Sequence, residues 1–253
     1  MLHAVKHAVL KYTNASLEVI GIEVVHKARV SDDTREFLPF ETTIAGAKDV
    51  GLALGDYIDA KYNVPGTTQD THNRLTALGV MQGRIDRVCE IGPGSGRYLE
   101  KTLQTCKPSH YEIYETAHKW ADWLVKTYNV ISQPTDGRTL SHTLSNSIDL
   151  VQAHKVFVCT PFLTTCRYLQ EISRVTRDDA WVVFDIVTEG CMDGATLETW
   201  FKADINFLTY PVVNPKQYVI DFLRRHGFVF IASFQVAMKP GKTECMVFRK
   251  QRS

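Results

Sequence analysis

At 253 residues the chain is long enough for one large α/β domain plus an N-terminal extension, with a substantial buried core. Its 29 basic and 28 acidic side chains leave a net charge of +1, which gives no single-signed field for tight binding to nucleic acid or an anionic membrane. No stretch reaches the roughly 20 apolar residues of a membrane helix and no signal-peptide pattern opens the chain; the six cysteines have no CxxC or zinc-like spacing, so the expectation is a cytoplasmic protein with reduced thiols and no metal.

In chain order, Met1 to Tyr12 spaces Leu2, Val5, Val9 and Leu10 at helical intervals and reads as a docking helix, with a membrane-surface anchor as the alternative. Leu17 to Val25 fits a strand or a helix equally. Lys48 to Tyr62 fits a helix imperfectly, Val64-Pro65-Gly66 breaks it, and Thr71 to Gly79 reads as a further short helix. From Arg87 the pattern becomes regular. Strands are expected over 87–91, 111–115, 130–133, 148–153 and 181–187, with helices over 97–105, 117–128 and 164–175. Strands that alternate with helices predict parallel βαβ units in an open, doubly wound α/β sheet. A helix over 218–226 capped by Gly227 comes next, then strands over 228–234 and 244–249 joined by a turn at 239–242, an antiparallel ending. Residues 188–217, with Trp200, Phe201, Phe207, Tyr210 and Pro211, form a long insertion suited to an acceptor site.

The most informative segment is Glu90-Ile91-Gly92-Pro93-Gly94-Ser95-Gly96-Arg97, which joins a strand to a helix. In such sheets ligands bind beyond the carboxyl ends of the strands, beside the switch point. A nicotinamide-cofactor fingerprint needs glycine where Arg97 stands. Glu90 at the strand end instead suits a ligand that carries an ammonium and a sulfonium, which favours S-adenosylmethionine over NAD. Glu115, 19 residues beyond Gly96, ends the second strand, where a carboxylate can accept both ribose hydroxyls. Glu112, inside that strand, is expected to be solvated. Asp136, followed by Gly137, lies after the third strand and can accept from the adenine amino group; the alternative is a plain Asp-Gly turn.

In this order of signals, the chain from about residue 48 onward resembles class I, Rossmann-like S-adenosylmethionine-dependent methyltransferases. The resemblance implies a mostly parallel seven-stranded sheet with an antiparallel last strand, and S-adenosylmethionine as cofactor. It places Gly92, Gly94 and Gly96 along the methionine and ribose portion, with Glu90, Glu115, Asp136, Gly137 and Ala153 completing the cofactor set. Residues 1–47 are then an extension, and 48–253 the methyltransferase domain with residues 48–80 as its lid. Tyr57 and Tyr62 of that lid are candidate acceptor contacts, although aromatics at helical spacing are more often core.

Methyl transfer from a sulfonium needs an aligned acceptor and removal of its proton. The fourth strand ends at Ala153-His154, and His154, with a reference pKa near 6.5, is the candidate base; its alternative role is to hydrogen-bond a loop. The family's Asn/Asp-Pro-Pro-Tyr signature of amino-group methylation on adenine or glutamine is absent from this loop. The expectation is therefore metal-independent O-methylation of a small molecule or saccharide. The lid and Thr188-Glu189 also bear a faint resemblance to bacterial saccharide-modifying methyltransferases. Small-molecule N-methylation and a cofactor-binding module without catalysis stay open, and the oligomeric state is not encoded in any motif.

Overall fold

The computed structural model describes residues 37–203 and 210–252; the segments Met1–Tyr12 and Leu17–Val25, and Phe207, lie outside the described residues. Leu38–Ser253 forms one unit. Its first helix, α1 (Phe40–Asp49), therefore belongs with the sheet and runs across the expected boundary between 47 and 48.

The single helix expected over 48–62 is two. The helix α1 ends at a turn where Gly51 takes φ 67° while the Gly51 and Leu52 amides donate back to Lys48 and Ala47, and α2 (Leu54–Tyr62) starts anew. Gly51 terminates α1 because the left-handed conformation is accessible to glycine without a Cβ clash. The helix α3 (Thr67–Ala77) begins earlier than expected, after Gly66, with the Thr67 hydroxyl donating to the Val64 carbonyl.

The sheet has seven strands in the order β3-β2-β1-β4-β5-β7-β6. They are β1 (Arg87–Ile91), β2 (His110–Tyr114), β3 (Ile131–Ser132), β4 (Ile148–Ala153), β5 (Thr176–Ile186), β6 (Phe228–Ala237) and β7 (Lys242–Lys250). The pairs from β3 to β5 are parallel, and β7 lies antiparallel to both β5 and β6, so β7 is the reversed strand. The expected fold class holds. The connections are α4 (Arg97–Cys106), α5 (His118–Tyr128), α6 (Phe162–Val175), α7 (Gly194–Lys202) and α8 (Lys216–Arg225). Progress across the sheet reverses between β1 and β4, which makes the loop after β1 flank the switch point.

Strand alternation sends Cys89, Val151, Val182 and Phe184 into a core shared with α6 and α8, while Val88, Leu150 and Val183 face α4 and α5. On that second face three polar residues, Glu90, Gln152 and Asp185, interrupt the apolar set near the carboxyl ends of their strands, all of them at most 1% exposed. Buried polar groups are stable there only with partners, and this requirement builds the site.

Phe184 is fully buried, with its ring 5.5 Å from Phe157 and 5.7 Å from Phe248. Phe184→Ala should lower stability by about 3–5 kcal/mol in urea unfolding, whereas Ile131→Ala, on an exposed strand, should change it by less than about 0.5 kcal/mol.

Candidate active site

The glycine loop leaves β1 with the Gly92 amide donating to the Tyr114 carbonyl and the Gly96 amide to the Pro93 carbonyl, 2.9 Å each. Gly92 and Gly94 have φ of 59° and 52°. A Cβ at Gly92 would come within 2.7 Å of Val156, so the loop packs tightly against the turn after β4. A Cβ at Gly94 would meet nothing within 4 Å, so the outer side of the loop is open to a ligand.

Glu115, just past β2, binds that loop to its neighbour. Its Oε2 accepts from the Gly94 amide at 2.7 Å, and its Oε1 accepts from the Ala117 amide at 2.8 Å. Glu112 corrects an expectation: it is 2% exposed and not solvated. Its carboxylate accepts from Gln133 Nε2 at 2.9 Å and from the Thr143 hydroxyl, with His110 Nε2 at 3.1 Å. It lies in a strand flanked on both sides by others, where the sheet and the following loops exclude water. Asp136 is exposed, and its Oδ1 accepts from the Arg138 and Thr139 amides at 3.0 and 2.8 Å. Burial opposes ionisation of Asp136, but the two backbone donors outweigh it and hold the carboxyl below its ordinary range. Gly137, at φ 73°, follows in that turn, and Ala153 is fully buried at the end of β4.

Glu90 faces inward beneath the loop. Its Oε2 takes the Tyr111 hydroxyl and, at 3.0 Å, Gln152 Nε2, while Thr102 of α4 donates to Gln152 Oε1 at 3.1 Å. Burial pushes its carboxyl up to about 7 against the two hydrogen bonds that favour the charge.

His154 is buried as well, stacked on Tyr98 with ring centroids 3.8 Å apart. Its Nδ1 lies 4.0 Å from Asp185 Oδ1. Asp185 accepts from the Lys155 amide at 2.5 Å and the Thr243 hydroxyl at 2.7 Å, and pairs with Lys155 Nζ at 3.0 Å. Burial lowers His154 to about 4, against the raising effect of Asp185, so the imidazole is neutral at neutral pH.

In the sequence Arg97 speaks only against NAD. In the structure Arg97 opens α4 and donates to Asp59 Oδ1 at 2.6 Å, with both side chains buried. The Thr68 amide and hydroxyl complete Asp59 at 2.8 and 2.9 Å. A cation at a helix N-terminus opposes the helix dipole, and that mismatch is the one sequence signal that Arg97 needs a buried acid. Tyr57 and Tyr62, the two aromatics expected on a lid, stand apart from this network. Tyr57 packs so closely on Gly46 of α1 that a Cβ there would overlap its hydroxyl, which takes Lys61 Nζ at 3.0 Å. The Tyr62 carbonyl accepts from the Lys239 amide.

A cleft of about 350 Å³ lined by Arg167, Gln170, Glu171, Ser173, Arg174 and His226 lies where α6 and α8 end, at the amino ends of the strands and away from this site. Among the described residues no cluster of three or more His, Cys, Asp or Glu is placed to hold a metal ion, and no helix is long and apolar enough to cross a membrane.

No protein-family model and no curated protein sequence matches the chain. Solved structures do. An O-methyltransferase family protein from Burkholderia thailandensis is similar with a TM-score of 0.57 and 12% identity, over 98% of this chain and 71% of that one. The N-methyltransferase NodS from Bradyrhizobium japonicum WM9, in complex with S-adenosyl-L-homocysteine, is similar with a TM-score of 0.55 and 16% identity, over 84% of this chain and 100% of that one. The cyclase SpnF is similar with a TM-score of 0.54 and 11% identity, over 73% and 82%. The protein therefore has the fold of the class I S-adenosylmethionine-dependent methyltransferases. Since that fold also carries a cyclase, the reaction is set by the residues of the site and not by the fold.

His154 and Glu90 oppose each other in pH. The unfolded chain protonates its histidine first, so the His154 contribution to stability is present above pH 6.5 and is lost as pH falls from 6.5 to about 4. Native Glu90 holds its proton longer, so stability falls as pH rises from 4.5 to about 7. Each term is roughly 3 kcal/mol and they nearly cancel. Urea unfolding between about pH 4 and pH 8 should show Glu90→Gln gaining stability with pH and His154→Gln losing it; parallel profiles for the two variants and the parent would contradict this.

Proposed function

We propose that the protein is an S-adenosylmethionine-dependent methyltransferase that methylates a hydroxyl of a small molecule or saccharide, with His154 as the base and without a metal. The observation that carries the reading is the Glu115 carboxylate held against the Gly94 amide of an open-sided glycine loop beside the switch point. The residues present fit the cofactor. Glu115 would accept the ribose hydroxyls, because an ionised carboxylate offers about four acceptor positions and combines backbone with ligand donors. The backbone of Gly92, Gly94 and Gly96 would lie along the methionine and ribose portion, with Asp136, Gly137 and Ala153 around the remainder. Glu90 would act through its field, since its carboxylate is committed to Tyr111 and Gln152.

Bound S-adenosylmethionine supplies a methyl group on a sulfonium whose sulfur leaves as a neutral thioether. The chain's part is to align the acceptor, exclude water and take its proton. His154 would accept that proton, its neutral form favoured by burial. The lid tied down by Asp59 and Arg97 supports exclusion of water. Small-molecule N-methylation is the second reading, favoured by the low basicity of His154, because a neutral amine brings its own lone pair. Tyr57 and Tyr62 remain acceptor candidates on the lid only, and the similarity of the fold to both an O-methyltransferase family protein and an N-methyltransferase supports the class of reaction more than the acceptor atom.

Titration calorimetry of Glu115→Ala should show S-adenosylmethionine affinity reduced by about ten- to a hundredfold, with Glu112→Gln much less affected. Labelled S-adenosylmethionine offered with saccharide, phenolic and amine acceptors should identify the acceptor. On that acceptor His154→Ala should lose roughly 10²–10⁴ in kcat at unchanged cofactor affinity. Near-parental turnover would remove the base assignment, and equal, small effects at Glu115 and Glu112 would remove the ribose assignment.

A further inference from the structure

Asp185 is a buried carboxylate that the reading above does not use. It is 1% exposed at the end of β5, and its partners come from two directions. The Lys155 amide donates to Oδ1, while the Thr243 hydroxyl on β7 and Lys155 Nζ occupy Oδ2. A carboxylate has about four acceptor positions, and these donors take three. His154 Nδ1 stands 4.0 Å from Oδ1, the oxygen that accepts only the Lys155 amide among these donors. Lys155 is itself held at φ 61°, an uncommon conformation for a residue with a side chain. That geometry turns the Lys155 backbone and side chain onto the same carboxylate, so the segment between β4 and the turn is shaped around Asp185.

We propose that Asp185 is the positioning residue of His154: it fixes the imidazole as the Nδ1–H tautomer, leaves Nε2 as the basic nitrogen, and stabilises the imidazolium formed when the acceptor loses its proton. The inference rests on the assignment of His154 as the base. In the step, the acceptor O–H bond breaks and its proton forms an N–H bond at Nε2. The oxygen lone pair forms the new bond to the methyl carbon, and the electron pair of the old S–C bond stays on sulfur. Nδ1 keeps its hydrogen and donates it to Asp185. At 4.0 Å the pair falls short of a hydrogen bond in the free protein, where the carboxylate charge beside Nδ1 already favours the hydrogen on that nitrogen; a contraction of about 1 Å in the complex makes the bond.

The charged and titratable groups around His154 set the direction of the effect. Asp185 on β5 raises its affinity for a proton, whereas Arg97 on α4, Lys155 beside it and His72 on α3 lower it; Tyr98 on α4 covers one ring face. Among these four charged and titratable groups of the described residues, Asp185 alone favours the imidazolium. Lys155 keeps the carboxylate charged and in place, since burial of Asp185 alone would raise its carboxyl and the Lys155 charge more than reverses this with its other donors.

The test is the nitrogen spectrum of the His154 ring in the cofactor-free protein near pH 7, which depends on neither acceptor nor turnover. The expected result is the Nδ1–H tautomer in the parent and loss of that tautomer, by a mixture or a switch to Nε2–H, in Asp185→Asn, where an amide N–H₂ can face Nδ1. With the acceptor identified, Asp185→Asn should lower kcat by about 10²-fold or more and leave cofactor affinity unchanged. An Nε2–H tautomer in the parent overturns the proposal even if the variant fails to fold, and so does an unchanged tautomer in a folded Asp185→Asn. Failure of S-adenosylmethionine to bind the parent in calorimetry would overturn the methyltransferase reading instead, so the two failures are distinct.

Discussion

The buried ion pair between Arg97 and Asp59 joins the helices before the sheet to the first residue of the helix that leaves the glycine loop. Both side chains are withdrawn from water, and the Thr68 amide and hydroxyl complete the acid. Such a pair adds little net stability over an apolar replacement, yet removal of one partner strands a buried charge at a cost of about 3–5 kcal/mol. Its value is positional. It holds α2 and α3 over α4, and the next residue along α4, Tyr98, lies flat against His154. The burial that keeps His154 neutral therefore depends on a contact made one residue away.

The same logic runs along the α4 face of the sheet. Apolar strands that could have packed with hydrocarbon alone carry Glu90, Gln152 and Asp185 at their carboxyl ends, each bound to named partners. Hydrophobic burial fixes the sheet, and the polar residues fix what its carboxyl edge offers to a ligand. Glu90 sets a titratable carboxyl under the glycine loop, Glu115 locks that loop to the next one, and Asp185 faces the ring of His154.

Local patterns carried most of the fold. Short apolar runs mark β1, β4 and the later part of β5, which starts at Thr176 and not at Trp181, and the glycine run marks the turn at the switch point, because these are properties of adjacent residues. The break at Gly51 was in the sequence but was masked by apolar residues on both sides. The position of Glu115 at a strand end is legible in the sequence, whereas the burial of Glu112 is not, since its partners Gln133 and Thr143 arrive from distant loops. Asp59, Asp185 and Thr243 were silent for the same reason: they acquire meaning from Arg97, His154 and Lys155, and folding alone brings these pairs together.

A structure of the protein crystallised with S-adenosyl-L-homocysteine tests the central claim most directly. The ribose hydroxyls should lie on the Glu115 carboxylate, the amino-acid portion along the outer side of Gly94, and the sulfur on the side of the loop that faces His154. Ligand found elsewhere, or a ribose held by groups other than Glu115, would contradict it.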